Sequence, residues 1–263
     1  MILYDTKAKS IHTIDRNSYM FQTNIDFANN LLNNNIFFTE QDIVDLILTK
    51  FLDYNDSTFI DIGANVGAYT LSLAKHFNHT YSFEPDIDTY NIMCGNIAIN
   101  GLSNVTTLIN SGLSYKEDKM IMHRYDISGS LNHITESDSD IVNENMKKIG
   151  YNDYSSEIYV KTLDSYNIKN VVLIKIDVEG CELDILKGAK ETISKYCPML
   201  IIESWEINDA DSAEMKEYKQ KLRYDLFSYI KEMQYNIQNT NNPEVFICEY
   251  QPKTKQKVKT VFY

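Results

Sequence analysis

Several features that would assign the chain to a particular class of protein are missing from its sequence. No stretch approaches the roughly 18 apolar residues of a membrane span, and the first residues lack the basic segment and long apolar run of a secretion signal. The four cysteines are scattered, with no C-x-x-C pair, and lie in or beside predicted core segments, where reduced thiols pack as small hydrophobes. We therefore expect a soluble, cytoplasmic protein with reduced cysteines.

Positive charge is also scarce. The 25 Lys and Arg residues are outnumbered by 37 Asp and Glu residues, which gives a formal net charge of -12 at pH 7. Such a chain repels phosphate backbones unless it carries a local basic patch. The alternating lysines between residues 253 and 259 are a candidate patch, but lysines on a terminal strand more often protect an exposed sheet edge. We therefore expect no nucleic-acid partner.

Length and hydrophobic pattern favour one α/β domain. A chain of 263 residues can build one sizeable core, and no segment resembles an interdomain linker. We interpret residues 1–38 as an N-terminal cap and residues 39–263 as the domain, with a polar insertion at about 112–162. The region 125–157 shows no sustained period, and long irregular loops are often functional, so we interpret it as a lid over the binding site.

Predicted strands and helices alternate along most of the domain. A first helix follows a possible capping box formed by Thr39 and Asp42. Further helices are expected at 69–77, 87–99, 181–195 and near 213–233, and strands at 58–62, 80–84, 105–109, 171–176, 199–203 and near 234–238 and 244–250. Segments 119–122 and 157–161 could pair at the base of the insertion. This alternation predicts a doubly wound, parallel sheet with helices on both faces.

A glycine turn follows the first of these strands. Gly63 lets the backbone bend sharply and approach a ligand, and Gly67 lets the next helix start close to the strand. The spacing is G-x-x-x-G, without the dinucleotide fingerprint G-x-G-x-x-G and without the Lys-Ser/Thr of a P-loop. The turn therefore suits a nucleoside cofactor that lacks a pyrophosphate. About twenty residues later Glu84 ends the next strand, where doubly wound folds place an acid against ribose hydroxyls.

Five segments, in order and rough spacing, resemble the FkbM-type methyltransferases: FIDIGANVGAYTLSLAK, YSFEPD, VKTLDSY, LIKIDVEGCELDILKGA and PMLIIESW. The resemblance covers about residues 38–250, and KIDVEGCE at 175–182 is its most specific part. It implies S-adenosyl-L-methionine as cofactor and a Rossmann-like class I methyltransferase fold with a mostly parallel seven-stranded sheet and an antiparallel edge hairpin. The cofactor residues are then expected to be Asp61, Gly63, Ala64, Asn65, Gly67, Tyr69, Glu84, Pro85, Asp86, Ser111 and Asp177.

Four acids are candidates for the chemistry of methyl transfer, which requires alignment of the reactants and gains from a base near the acceptor hydroxyl. Asp177 and Glu203 end neighbouring strands, at the edge where open α/β sheets bind ligands. Glu179 and Glu182 lie at the start of a helix, whose dipole should keep them ionised. Alternatively, Glu179 and Glu182 only cap that helix, and Glu203 is an outward-facing strand end.

Other candidates carry weaker signals. His123 and His133 border the insertion and could supply a base, although a loop histidine is more often solvated. Trp205 could stack on a sugar or pack in the core. Lys175 should form a salt bridge or extend its stem so that the ammonium group reaches water, rather than act in catalysis. Oxygen ligands from Asp177, Glu203 or Glu206 could gather at adjacent strand ends, but no spacing demonstrates a metal site, so we predict none.

The resemblance implies O-methylation of a hydroxyl on a sugar, glycan or glycosylated small molecule. A non-sugar small molecule is an alternative acceptor. A nicotinamide oxidoreductase is disfavoured by the missing G-x-G-x-x-G and Tyr-x-x-x-Lys patterns. A catalytically inactive cofactor-binding scaffold is disfavoured because Gly63, Asn65, Glu84, Asp177 and Glu182 are all present. The pattern does not indicate an oligomeric state.

Overall fold

A computed structural model describes residues 2–5, 10–13, 20–23, 40–51, 56–124, 132–135, 141–148 and 154–252. The strands are β1 Ile2–Asp5, β2 Ser10–Thr13, β3 Met20–Thr23, β4 Thr58–Ile62, β5 His79–Phe83, β6 Thr106–Ile109, β7 Gly112–Leu113, β8 Asp118–His123, β9 His133–Thr135, β10 Ser156–Lys161, β11 Val171–Ile176, β12 Met199–Glu203, β13 Tyr235–Asn239 and β14 Val245–Tyr250. The α-helices are α1 Gln41–Lys50, α2 Ala68–Leu73, α3 Ile87–Ile99, α4 Ile141–Lys148, α5 Glu182–Gly188, α6 Lys190–Tyr196 and α7 Ala213–Glu232. Two 3₁₀ helices lie at Ala74–His76 and Leu163–Tyr166.

The largest sheet has seven strands in the order β13-β14-β12-β11-β4-β5-β6. The pairs from β12 through β6 are parallel, whereas β14 pairs antiparallel with both of its neighbours. Because β13 reverses direction again, β14 alone runs against the rest of this sheet. The sheet is therefore mixed but mostly parallel, with a hairpin at one edge.

Helices cover both faces of this sheet. On β4, Ile60 packs into a core with α5, α6 and α7, whereas its neighbour Phe59 packs into a second core with α1 and α2. Strand β11 is buried along nearly its whole length, which explains its almost continuous run of apolar residues. The layers are those of a doubly wound fold.

The predicted insertion forms a sheet of its own, in the order β7-β10-β8-β9. The two segments that flank the insertion pair antiparallel as β8 and β10, so that prediction is confirmed. The region expected to be irregular also contains β9 and helix α4. Strands β1, β2 and β3 form a third sheet within the proposed cap. The division into cap, domain and insertion stays a prediction.

One helix prediction was wrong in detail, and the capping-box prediction falls partly outside the described residues. Helix α1 begins after Glu40, whose side chain makes no capping hydrogen bond, and Thr39 lies outside the described residues. The single helix expected at 181–195 is divided at Ala189 into α5 and α6. The division has a tertiary cause: Asp164 accepts hydrogen bonds from the backbone nitrogens of Glu191 and Thr192, and so caps a new helix start.

The described part of the chain includes no helix long and apolar enough to cross a bilayer. All four cysteines are described, and each is a free thiol. The alternating lysines at 253–259, which we interpreted as protection of a sheet edge, lie outside the described residues.

Candidate functional site

The glycine turn after β4 lies directly against the end of β11. Gly63 has a φ of +72°, and a Cβ atom there would lie 1.7 Å from the carbonyl oxygen of Asp177. The backbone nitrogen of Asp177 in turn donates to the carbonyl oxygen of Ile62 at 3.1 Å. Because both the dihedral angle and the space exclude a side chain, the turn requires glycine.

The same turn is held to β5 by hydrogen bonds. The backbone nitrogens of Gly63 and Ala64 both donate to the carbonyl oxygen of Phe83, at 3.1 and 3.0 Å. The nitrogen of Asn65 donates to Oε2 of Glu84 at 2.9 Å. Asn65 also adopts a positive φ of 51°. The ends of β4, β5 and β11 therefore form one compact edge.

Helix α2 starts immediately after this turn. Gly67, at a φ of +91°, is its N-cap, and its carbonyl oxygen accepts from the nitrogen of Leu71 at 2.8 Å. A Cβ on Gly67 would lie 3.2 Å from Cγ of Met93 on α3. Gly67 therefore allows α2 and α3 to pack closely beside the site.

Glu84 follows β5 and is nearly buried, with 7% of its surface exposed. Its Oε1 accepts from the nitrogen of Asp86 at 2.9 Å, so each carboxylate oxygen already holds one backbone N–H. A carboxylate oxygen has further lone pairs, which leaves acceptor capacity for a ligand hydroxyl. Burial raises the pKa of Glu84 to about 7, although its two backbone hydrogen bonds oppose the rise.

The residues after Glu84 are held by their own contacts. Oδ1 of Asp86 accepts from the nitrogens of Asp88 and Thr89 and so caps α3, while its Oδ2 accepts from Arg124 at 3.1 Å. The side chain of Asp86 thus stabilises the helix start, and a cofactor contact by Asp86 stays a prediction.

Asn110 and Ser111 connect β6 to this edge and to the small sheet. The side-chain amide of Asn110 donates to the carbonyl oxygens of Glu84 and Pro85, both at 2.9 Å. The hydroxyl of Ser111 donates to the carbonyl oxygen of Gly112 at 2.9 Å. The predicted cofactor residues Pro85 and Ser111 therefore lie in two neighbouring loops, which the hydrogen bonds of Asn110 join.

Asp61, the last but one residue of β4, is fully buried. Its Oδ2 accepts from the hydroxyl of Thr70 at 2.7 Å, and Thr70 also shares a hydrogen bond with Ser82. Oδ1 of Asp61 has no hydrogen-bond partner among the described groups. A buried carboxylate oxygen without a donor is costly, so this position is suited to a ligand that brings a donor.

Tyr69, another predicted cofactor residue, is buried and contacts protein groups. Its hydroxyl donates to Oε2 of Glu40 at 2.8 Å, and its ring lies 5.0 Å from Nζ of Lys175. Lys175 also donates to Oδ2 of Asp177 at 2.8 Å, which confirms the expected salt bridge.

The four candidate acids gather beside the turn. Burial raises the pKa values of Glu179, Glu182 and Glu203, and the charge of Asp177 raises each of them further, so all three lie within electrostatic reach of Asp177. Glu182 is held by the nitrogen of Gly180, which donates to its Oε1 at 2.9 Å. The structure thus brings together the acids that the sequence suggested, while their chemical roles stay predictions.

Glu179 sits in a strained turn and is held by Trp205. It has a φ of +53°, which is uncommon outside glycine, and its Oε2 accepts a hydrogen bond from the indole nitrogen of Trp205. The Trp205 ring also covers Gly180, where a Cβ would lie 3.0 Å from it. Arg223 donates to the carbonyl oxygens of Ser204 and Trp205 and so anchors this loop.

The expectation that a helix dipole keeps Glu179 and Glu182 ionised was wrong. Burial, with the charge of Asp177, raises the pKa of Glu179 to about 8, and burial raises that of Glu182 to about 7. Glu203 rises to about 9 through burial and the charge of Asp177, although Lys175 opposes the rise. Backbone N–H groups around the start of α5 lower the pKa of Glu182, but the loss of solvation on burial outweighs them.

These raised pKa values make the stability of the fold depend on pH. A carboxyl whose folded-state pKa lies above its unfolded value near 4.5 binds a proton more tightly when folded, so its contribution declines as pH rises toward the folded value. We expect the melting temperature to fall between pH 6 and 9. Glu203→Gln should recover about 2–4 °C of that fall, the shift that about 1 kcal/mol produces in a domain of this size.

Thermal melts of the wild type and of Glu203→Gln across that pH range measure this difference in melting temperature. Glu217→Gln on α7 is the matched control, because Glu217 is exposed and its loss should leave the wild-type pH profile unchanged. If Glu203→Gln lost stability as steeply as the wild type, titration of Glu203 in this range would be ruled out.

His123 and His133 do not lie in solvated loops. They face each other across β8 and β9, both are buried, and their rings stack with centroids 5.0 Å apart. Nε2 of His123 lies 3.1 Å from the hydroxyl of Thr135. Burial and stacking favour a packing role for this pair, and a catalytic role stays a prediction.

The small sheet and the residue after β8 contact the segments that follow main-sheet strands β5 and β11. Arg124, after β8, pairs with Asp86 at the start of α3. The thiol of Cys181, before α5, donates to the carbonyl oxygen of Ile134 at 3.3 Å. Within the described residues no group of three His, Cys, Asp or Glu side chains could hold a metal ion, and metal independence stays a prediction.

Sequence reasoning missed several residues that build this site. Arg124 and Asn110 are single polar residues without a motif, and nothing in the pattern predicts which loop they hold. Glu40 lies within the segment that we interpreted as a capping box, whereas its carboxylate contacts α2 and the β13–β14 loop. Their partners are 25 or more residues away in the sequence, so no local signal could have indicated them.

Three features together define an α/β fold of the methyltransferase type. They are the strand order, the reversed direction of β14, and the glycine turn beside β5, which is followed by Glu84. A Staphylococcus aureus structure provisionally assigned as a caffeoyl-CoA O-methyltransferase shares this fold, with a TM-score of 0.52 and 13% identity over 85% of this chain and 90% of that one. The methyltransferase FkbM domain family matches residues 61–237. The chain belongs to this family, as its sequence motifs predicted.

Two curated relatives are similar to the chain. Methyltransferase sdnD of Sordaria araneosa is 23% identical over 170 residues, which cover 56% of this chain and 66% of sdnD. Hexuronic acid methyltransferase AglP of Haloferax volcanii is 25% identical over 155 residues, which cover 57% of this chain and 56% of AglP. The chain thus spans about two thirds of the length of the first relative and just over half of the second.

Proposed function

We propose that the protein is an S-adenosyl-L-methionine-dependent O-methyltransferase that acts on a hydroxyl of a sugar, glycan or glycosylated small molecule. The observation that carries this proposal is the convergence of Gly63, Glu84 and Asp61 at one edge of the parallel sheet. These features suit a nucleoside joined to an amino acid. The turn has no side chain at Gly63, Glu84 has spare acceptor capacity, and a buried oxygen of Asp61 lacks a donor among the described groups. Family membership supports the same cofactor.

The residues fit this cofactor at three points. Glu84 would accept hydrogen bonds from the two ribose hydroxyls. The Gly63 turn leaves room for close approach of the amino-acid end, because a Cβ is absent there. The unpaired Oδ1 of Asp61 is matched by a donor such as an ammonium group. Bound in this way, the cofactor supplies an electrophilic methyl group on a cationic sulfur.

The four acids at the strand ends would bind and orient the acceptor. Glu203, with a pKa of about 9, is protonated at neutral pH and can donate a hydrogen bond to an acceptor oxygen. Asp177 is our first candidate for accepting the hydroxyl proton, because it directly follows β11 and its backbone lies against the Gly63 turn. Closely spaced donors and acceptors of this kind match the hydroxyl groups of a sugar. The name of AglP, a hexuronic acid methyltransferase, supports a sugar acceptor.

Ligand-dependent melting tests the cofactor assignment. S-adenosylhomocysteine at 100 times its dissociation constant should raise the melting temperature by about 5–10 °C, because binding to the folded state adds about 2.7 kcal/mol. NAD at the same concentration should leave the melting temperature unchanged. Stabilisation by NAD without stabilisation by S-adenosylhomocysteine would contradict the proposal and favour an oxidoreductase.

The acceptor requires a separate experiment. The protein would be incubated with isotopically labelled donor and a panel of sugars, glycans and non-sugar alcohols, and mass spectrometry would locate the transferred methyl group. Transfer to a sugar hydroxyl would support the proposal, and transfer only to the non-sugar compounds would favour the alternative acceptor. Binding of S-adenosylhomocysteine without transfer to any compound would favour a cofactor-binding scaffold.

A further inference from the structure

Lys175, the last but one residue of β11, carries an ammonium group within an otherwise apolar strand. Only 7% of its side chain is exposed, and its strand neighbours Ile174 and Ile176 are fully buried. Its Nζ donates to Oδ2 of Asp177 at 2.8 Å and lies 3.5 Å from the carbonyl oxygen of Gly63. One cation therefore joins the glycine turn after β4 to the acid after β11.

The ammonium group also makes a cation–π contact. Nζ of Lys175 lies over the Tyr69 ring, 5.0 Å from the ring centroid, a distance at which the cation is attracted to the ring face. The Tyr69 hydroxyl donates to Glu40, and the side chain of Asn242 donates to the second oxygen of Glu40 at 3.1 Å. Glu40 and Asn242 lie outside the region matched by the family, so this support comes from flanking parts of the chain.

Acidic groups surround Lys175 from every element packed against it. They are Asp61 on β4, Asp177 after β11, Glu203 at the end of β12 and Glu40 before α1, and Tyr69 on α2 is a further titratable neighbour. Burial alone would lower the pKa of Lys175, but attraction to Asp177, Asp61 and Glu203 raises it above its ordinary value. Lys175 therefore stays cationic.

A purely structural role does not explain a lysine at this position. A buried ion pair contributes little net stability, and well-packed apolar residues often replace it without loss. An ammonium group, however, can donate to a carboxylate and a carbonyl oxygen at once, and so fix the distance between them. The carbonyl oxygen belongs to the Gly63 turn, which the proposed function places at the amino-acid end of the cofactor. The carboxylate oxygen belongs to Asp177, which the proposed function assigns to the acceptor.

We propose that Lys175 is a positioning residue: its ammonium group fixes the Gly63 carbonyl, at the amino-acid end of the cofactor site, relative to the Asp177 carboxylate, which faces the acceptor. Glu40 holds that ammonium group in place through Tyr69. The inference rests on the proposed function. It concerns one end of the cofactor only, because the ribose acid Glu84 is not in contact with this network through any described hydrogen bond.

Two ligands separate positioning from a general effect on folding. S-adenosylhomocysteine carries the amino-acid end, whereas 5′-methylthioadenosine shares its nucleoside and thioether but lacks that end. With Lys175→Met, we expect the dissociation constant of S-adenosylhomocysteine to rise at least tenfold and that of 5′-methylthioadenosine to change less than twofold, as measured by titration calorimetry. Lys175→Arg, which keeps the charge, should recover part of the loss. Glu40→Gln should weaken S-adenosylhomocysteine alone, by about threefold.

Equal losses for both ligands in Lys175→Met, or unchanged affinity for S-adenosylhomocysteine, would overturn the inference. If Lys175→Met shows no cooperative melting, Glu40→Gln and Tyr69→Phe decide the question: a selective loss of S-adenosylhomocysteine supports positioning, and an unchanged ratio of the two affinities rejects it. A wild-type protein that binds neither ligand would reject the proposed function and this inference with it. Parallel losses in variants of a wild type that binds S-adenosylhomocysteine would reject the inference alone.

Discussion

Gly63→Ala should abolish measurable binding of S-adenosylhomocysteine, with the dissociation constant rising at least a hundredfold. The added methyl group would lie 1.7 Å from the carbonyl oxygen of Asp177, and that obstacle is backbone at a strand end, which cannot rotate away as a flexible side chain can. A φ of +72° adds strain for any residue with a Cβ. The turn or the loop after β11 must therefore move, and both belong to the proposed site.

Gly95→Ala is the matched control for this variant. Gly95 lies within helix α3, and a Cβ there meets no atom within 4 Å. Its replacement should leave the affinity unchanged and keep or increase stability, by up to about 1 kcal/mol, because alanine is the better helix former. Calorimetry and thermal melts of the two variants measure the difference. Wild-type affinity in Gly63→Ala would mean that the turn does not contact the ligand.

Glu84→Gln should weaken S-adenosylhomocysteine and 5′-methylthioadenosine alike, by about tenfold to a hundredfold. Both Glu84 oxygens accept a backbone N–H, one from Asn65 and one from Asp86. A glutamine must turn its NH₂ group toward one of these donors, which removes both that hydrogen bond and an acceptor for a ribose hydroxyl. A hydrogen bond to a charged group contributes about 1.5–3 kcal/mol, which corresponds to the expected range.

Asp164→Ala is the control for Glu84→Gln, since it removes an acid outside the candidate site that caps α6 through the backbone nitrogens of Glu191 and Thr192. We expect it to lower the melting temperature through loss of the cap while the affinity stays within twofold of the wild type. An equal loss of affinity in both variants would indicate that lowered stability, and not a lost ribose contact, weakens binding. The equal effect of Glu84→Gln on both ligands further distinguishes the ribose end from the end that Lys175 is proposed to organise.

The best sequence predictions concerned elements whose cause is local. Strand β11 was predicted with its observed bounds, because a strand covered on both faces needs a continuous apolar run. Helix α3 was also predicted at its observed bounds, and its N-cap Asp86 lies next to the residues that it caps. The break at Ala189 was not predictable, since the capping acid Asp164 is 27 residues away from Glu191.

The charge state of the acids in the site has a tertiary cause too, so the local sequence did not predict it. The positions of Glu179 and Glu182 at a helix start suggested ionised carboxylates. Their raised pKa values come from burial and from neighbouring acids, which depend on the packing of several chain segments. Sequence distance also hid the role of Glu40, which meets Tyr69 and Asn242 only in the folded chain.

The sequence alone determined the family, the mostly parallel α/β architecture and the set of glycines and acids at the strand ends, because motif spacing and hydrophobic period are properties of neighbouring residues. Only the tertiary structure decided which acids are buried, which of them are already held by Trp205, Arg124 or Lys175, and where a side chain is excluded. Solvation and distance between remote segments set those properties, and both exist only once the chain has folded.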